Sequence, residues 1–247
     1  MNASRIAGVI PVILLAACAH HAPVATVEII DTSASITPRA VRAVLNAVDE
    51  QISRLGRGDR LVVIPITDDA RNDAPGRILR LQAPTVRESY NADLKRFRND
   101  AQTQFTVWVA TLDPHQRRTD ILGALNAARQ ELASLPKEDK RRLIVVSDFL
   151  EDDGTYNFVR DRTLANPARA RALAVRLRAE RSFVLSGIDL CLGRLESRDF
   201  APLAEDRKAA VQAFWTAYFT ENSPQPEIGF DGTGMLRDTK YGCTTTR

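Results

Sequence analysis

Histidine and cysteine are both scarce, three of each in 247 residues. Two of the histidines are neighbours, His20 and His21, which leaves little material for a histidine-rich metal site. A chain of this length buries a proper core and needs no disulfide framework to fold. There is no excess of one charge either. Lys and Arg number 34 against 31 Asp and Glu, and a net charge of +3 is too mild for the concentrated basic face that nucleic acid asks for. No serine sits in a G-x-S-x-G elbow, and no G-x-x-x-x-G-K-[ST] phosphate loop is present. Repeats and low-complexity tracts are lacking, and no linker splits the body, so one domain is expected. Hydrophobic residues at 44% and charged residues at 26% argue against a mainly disordered chain and against a polytopic membrane protein.

What is present begins with the N-terminus. Arg5 precedes an apolar stretch, Ile6 to Leu15, interrupted by Pro11 and followed by Leu15-Ala16-Ala17-Cys18. The stretch is too short to span a membrane and reads as a signal. Leu15 to Cys18 resembles the lipobox of bacterial lipoproteins. The resemblance implies cleavage before Cys18, a diacylglycerol on its sulfur and acylation of its amine. Several acyl chains anchor stably where one is marginal. Ala19, with no aspartate after the cysteine, implies passage to the outer membrane if the source is Gram-negative. The expected organisation is a signal over 1–17, a lipidated tether over 18–23, a body over 24–221 and a C-terminal tail over 222–247 packed on or tethered to it. Assigning Cys18 to the anchor leaves Cys191 and Cys243 as an even pair in an oxidising compartment. They form either a bridge that clips the tail to the body or two free thiols.

The body is periodic. Val24 to Ile30 is a β-branched run ending at Asp31, read as a buried strand. Thr37-Pro38 opens a helix as N-cap and first helical residue, with Ile36 and Val41 at the staple positions. Val41, Val44, Leu45, Val48, Ile52 and Leu55 make one stripe at helical spacing, and Gly56 fits the stop. Leu61 to Ile66 is a second strand and Ile78 to Leu81 an edge strand. Helices are expected over Ser89 to Leu112, Thr119 to Leu135, Pro167 to Glu180 and Lys208 to Phe219, and strands over Leu143 to Val146 and Phe183 to Ile188. Strands alternating with helices imply an α/β fold: a Rossmann-like, doubly wound, mostly parallel sheet with helices on both faces.

In such a sheet, ligands bind beyond the carboxyl ends of the strands, where strand order reverses. Those ends carry Asp31-Thr32-Ser33-Ala34-Ser35, Thr67-Asp68-Asp69, Asp148 with Glu151-Asp152-Asp153, and Gly187-Ile188-Asp189. Carboxylates and hydroxyls without imidazole or thiolate suit a hard cation, Mg²⁺, Mn²⁺ or Ca²⁺, and not zinc.

Asp31-Thr32-Ser33-Ala34-Ser35 resembles the D-x-S-x-S element of von Willebrand factor A domains. Thr119, before the Leu- and Ala-rich run Ile121-Leu122-Gly123-Ala124-Leu125, matches their threonine, and Asp148 matches their later aspartate. The resemblance runs from about Val24 to about Phe219. It implies a metal-ion-dependent adhesion site on Asp31, Ser33, Ser35, Thr119 and Asp148, with Mg²⁺, Mn²⁺ or Ca²⁺ as cofactor. Two positions depart from the pattern: Phe149 stands where many members have glycine, and Arg117 and Arg118 replace glycines before the threonine. Each residue also has an ordinary local use: a turn at Asp31 to Ser35, an N-cap at Thr119, a strand-end turn at Asp148.

An ion held largely by neutral hydroxyls stays electrophilic and can take a carboxylate from a partner. The expectation is therefore an envelope-anchored, cation-dependent protein-binding module, an adhesin or scaffold, lipid-anchored to membrane and not enzymatic. One alternative is a structural domain of the same fold that binds no metal. Another is a phosphatase-like hydrolase using Asp31 as nucleophile, although the general acid needed two residues on is replaced by Ser33. Arg160, Arg162, Arg169, Arg171, Arg176, Arg178 and Arg181 cluster around one helix, either as a solvated face or as a surface for an anionic partner. Phe214, Trp215, Tyr218 and Phe219 form an aromatic edge expected to face the core.

Overall fold

The computed structural model describes residues 22–70, 76–86, 88, 91–136, 140–181, 185–220 and 243–245. The expected signal, Cys18 and residues 222–242 and 246–247 of the expected tail lie outside them. β1 (Val24–Ile30), β2 (Arg60–Pro65), β3 (Leu79–Gln82), β4 (Lys140–Ser147), β5 (Ile188–Arg194) and β6 (Cys243–Thr245) form one sheet in the order β3-β2-β1-β4-β5-β6. The four central strands are parallel, and β3 and β6 are antiparallel edges. The central strands read as near-continuous apolar runs because helices cover both of their faces.

Strand residues alternate between two cores. Ile30, Leu61, Val63, Ile144, Val146 and Cys191 pack with α1 (Pro38–Arg54) and α2 (Ala92–Val109). Val27, Ile29, Val62, Ile64, Leu143, Val145, Leu190 and Leu192 pack with α3 (Ile121–Ser134), α4 (Pro167–Arg181) and α5 (Glu205–Phe219). Burial of each such side chain stabilises the fold by about 1.5–3 kcal/mol. Trp215, Phe214, Tyr218 and Phe219 are all buried in the second core, and Trp215 Nε1 donates to the Phe149 carbonyl (2.8 Å). The aromatic edge is core. On α4, Ala170, Leu173, Ala174 and Leu177 face inward, leaving Arg169, Arg171 and Arg176 exposed and Arg178 and Arg181 half-buried.

α1 starts as expected, with Thr37 Oγ1 accepting the Ala40 N–H (3.3 Å). Its stop differs. Leu55 is the C-cap, and Gly56 is held by Asp59 (2.7 Å) without a left-handed backbone. The left-handed residue of that turn is Gly58, at φ +81°.

The larger correction concerns β5. A strand over Phe183 to Ile188 was expected, but Ser186 and the left-handed Gly187 (φ +72°) form a turn, and the strand begins at Ile188. Asp189 therefore stands at the entry of β5, paired with Lys140 (3.3 Å), and not at a carboxyl end. The carboxyl end of β5 leads instead to Leu195 and Ser197.

β6 pairs with β5 so that Cys243 is the register partner of Cys191, and Cys191 is disulfide-bonded.

Candidate functional site

Strand order reverses between β1 and β4. The chain leaves β1 for β2 on one side, and β4 and β5 lie on the other. Ile30 and Val146 are register partners, and the Asp31 N–H continues the ladder to the Val146 carbonyl (2.9 Å). Asp31 and Asp148 thus leave neighbouring strands at the crevice where such sheets bind ligands.

Each aspartate folds its own loop. Asp31 Oδ1 accepts the Ser33 N–H (2.9 Å), and Asp148 Oδ1 accepts the Leu150 N–H (3.0 Å). This two-residue reach is the hydrogen bond that makes Asp a turn residue. The other oxygens knit the loops together. Ser147 Oγ donates to Asp31 Oδ2 (2.7 Å) and accepts the Phe149 N–H (3.0 Å). Ser35 Oγ donates to Asp148 Oδ2 (3.3 Å) and lies 3.1 Å from Ser33 Oγ. Asp31, Ser33 and Asp148 are buried, and Ser35 is half-buried.

Thr119 is buried beside Asp120 at the start of α3. Its backbone exchanges both hydrogen bonds with Asp152 (3.1 and 3.0 Å). Among the described residues its hydroxyl is not hydrogen-bonded to the other four. The cap of α3 is Asp120, whose Oδ1 accepts the Gly123 N–H (2.6 Å). A Cβ at Gly123 would stand 2.0 Å from that carboxylate, so a larger residue there would push the cap aside.

Two residues escaped the sequence reading. Gln116 is buried and ties the threonine loop to the sheet. Its amide donates to the carbonyls of Ile66 (2.9 Å) and Arg118 (2.8 Å), and its own carbonyl accepts the Ala34 N–H (2.9 Å). Ser197 is buried and hydrogen-bonds Asp148 with its side chain. A correct end for β5 would have put Ser197 among the strand-end hydroxyls. Of the remaining strand-end acids, Asp68 and Asp69 are exposed, and Asp68 accepts the Arg118 N–H (3.0 Å).

The electrostatics are those of an acid pair out of water. Burial pushes the Asp148 carboxyl up to about 7, and the nearby Asp31 charge pushes the same way, against hydrogen bonds from Ser197, Leu150 and Ser35. Burial also raises Asp31, against hydrogen bonds from Ser33 and Ser147. Two buried carboxylates that disfavour each other's charge, with seryl hydroxyls beside them, form an all-oxygen donor set suited to a hard divalent cation.

Phe149 is at φ +63°, in the left-handed region that favours glycine. Its ring is buried 5.7 Å from the Trp215 ring, so packing offsets the backbone strain.

The fold is α/β and Rossmann-like, a mostly parallel sheet flanked by helices. It superposes on the pilus adhesin SpaC from Lactobacillus rhamnosus GG with a TM-score of 0.50 at 13% identity, covering 83% of this chain and 28% of that one. Manganese-loaded TRAP protein from Plasmodium vivax matches at a TM-score of 0.43 and 13% identity, covering 90% of this chain and 75% of that one. A von Willebrand factor type A protein from Catenulispora acidiphila matches at 0.42 and 18% identity, covering 80% and 42%. The chain thus spans less than half of two of these three proteins. No protein-family model matches the sequence. No curated protein matches it either.

Proposed function

We propose that this chain is an envelope-anchored protein-binding module whose binding depends on a divalent cation held by Asp31, Ser33, Ser35, Thr119 and Asp148. The observation that carries the reading is the buried pair Asp31 and Asp148 at the strand-order reversal, each raised by burial, with Ser33 and Ser35 alongside. When bound, a divalent ion such as Mg²⁺ or Mn²⁺ supplies positive charge and a coordination position for a carboxylate of the partner. The chain's own residues do the rest. Asp31 fixes the Ser33 backbone, Ser147 orients Asp31, and Ser35 and Ser197 orient Asp148. No bond-breaking is required of any of them. The role of Thr119 rests on its resemblance to the family's threonine, since its backbone is held by Asp152 and its hydroxyl is unbonded to the rest.

The anchor belongs to the same reading: cleavage before Cys18, acylation, and attachment to the envelope with 24–221 as the body. So does the bridge, which we assign to Cys191 and Cys243 from their register.

Calorimetric titration with Mg²⁺ and Mn²⁺ is the test. Asp31→Ala should abolish binding, because the set loses one of its two charges. Ser33→Ala should weaken it by removing a hydroxyl ligand. Both proteins should still fold, since these groups sit at the rim of the sheet. Equal binding by wild type and Asp31→Ala, or no binding by either at millimolar metal, would leave the metal-free structural domain as the better reading.

A further inference from the structure

Thr119 and Asp152 exchange both backbone hydrogen bonds, as a directly opposed antiparallel pair does. Along such a ribbon, successive side chains point to opposite faces. Asp120 follows Thr119, and Glu151 and Asp153 flank Asp152, so these three project away from the Thr119 side chain. They converge: one carboxylate oxygen from each of Asp120, Glu151 and Asp153 lies within 4.8 Å of the others. A cluster of acids alone is no site, because exposed carboxylates often gather without a ligand.

Glu151 supplies the second observation. It is 1% exposed, its Oε2 accepts the Leu122 N–H (3.0 Å), and its Oε1 is buried with no hydrogen-bond partner among the described residues. A buried, unpartnered carboxylate oxygen carries a heavy desolvation penalty unless a proton neutralises it or a cation completes it. Burial raises its carboxyl most, and the charges of Asp120 and Asp153 raise it further, each by more than Arg181 lowers it. Two of the three acids are reachable, with Glu151 buried behind them. Asp120 and Asp153 line an open cavity of about 560 Å³ together with Asp68, Asp69, Arg118 and Arg181.

We propose that Asp120, Glu151 and Asp153 form a second divalent-cation site, suited to Ca²⁺, on the face of the Thr119–Asp152 pair opposite the Thr119 side chain. Calcium fits the donor set. Several carboxylates around one ion are usual for Ca²⁺, which takes six to eight oxygens in flexible geometry. Mg²⁺ keeps most of its waters and takes one or two carboxylates, so it should bind here more weakly. The site joins the start of α3 to the loop after β4, and occupancy would stiffen that junction.

The test uses the full mature chain carrying Asp31→Ala, so that the first site is silent, titrated with calcium chloride by calorimetry and followed by thermal unfolding. This protein should bind one Ca²⁺ and unfold at a higher temperature with it. Adding Asp153→Asn or Glu151→Gln should weaken binding by about tenfold or more, since affinity follows ligand charge. Glu151→Gln should also raise the calcium-free unfolding temperature at neutral pH, because a buried carboxyl that must take up a proton on folding is replaced by a neutral amide. The same comparison in Ser33→Ala guards against misfolding of the first background. No calcium binding by the Asp31→Ala and Ser33→Ala proteins at millimolar Ca²⁺, or binding undiminished by Asp153→Asn and Glu151→Gln, would overturn the proposal. Equal Mg²⁺ binding by wild type and Asp31→Ala would sink the first site and leave this one standing.

Discussion

Glu28 lies in the middle of β1, fully buried, with Val63 and Ile144 as its register partners on either side. It shares the strand face of Ile30, which points to the apolar core under α1 and α2. Neither of its carboxylate oxygens has a hydrogen-bond partner among the described residues. Burial pushes its carboxyl from the ordinary 4.5 up to about 8. The folded protein therefore keeps this proton until about pH 8, whereas the unfolded chain loses it near 4.5. Across that window the folded state binds more protons, so stability must fall as pH rises, by up to about 1.4 kcal/mol per pH unit. Summed over the window, the penalty is about 5 kcal/mol, present in full above pH 8 and absent below pH 4.5. Glu28→Met keeps the shape of the side chain and removes the charge, so it should stabilise the protein by an amount that grows with pH. The assay is chemical denaturation of both proteins between about pH 5 and 8. Asp31 and Asp148 titrate in both, so the difference between the two profiles isolates Glu28. Parallel profiles would refute the reasoning and show that the Glu28 carboxylate is satisfied when charged.

Three further outcomes can be checked. Cys18→Ser should yield an unlipidated protein that leaves the membrane fraction, and unchanged partition with unchanged mass would reject the anchor. Thiol titration of the mature, oxidised protein should find neither Cys191 nor Cys243 free. Because the bridge closes a loop of roughly 50 residues, its reduction should destabilise the protein by about 4 kcal/mol in the chain-entropy account. Phe149→Gly should relieve about 1 kcal/mol of left-handed strain but lose a buried ring worth about 3–5 kcal/mol. The protein should be less stable by about 2–4 kcal/mol in denaturant titration, and a gain in stability would show that the ring's packing is loose.

Most of the architecture was legible because helix and strand impose different periods on the apolar residues. β1, α1, β2, β4 and the order of elements as far as α5 followed from that pattern, and so did the placing of Asp31 and Asp148 at carboxyl ends, whereas the edge strand β6 was not foreseen in a stretch read as loop. β5 was misplaced because the apolar residues before Ser186-Gly187 look like a strand, whereas the true strand, Ile188–Arg194, is broken up by Asp189 and Gly193. That error hid Ser197 and put Asp189 at the wrong end. The D-x-S-x-S pattern marked the loop but could not show Ser147 bonded to Asp31, since that contact joins residues 116 positions apart. Nor could it show the pairing of Thr119 with Asp152, on which the gathering of Asp120, Glu151 and Asp153 depends. Phe149 was legible as a departure, but its left-handed backbone was not.

The sheet ends on both sides in short antiparallel strands, β3 of four residues and β6 of three. An uncovered strand invites pairing with another chain, and short edges are one protection against it. β6 lies against β5, a seven-residue strand in which Ile188, Leu190, Cys191 and Leu192 are buried. Three residues hold weakly by hydrogen bonds alone, so a covalent tie at Cys191 does more than restrain the tail. It keeps the open side of β5 occupied. A reducing environment would then act on solubility as well as on the fold, by baring a long apolar edge to the next molecule.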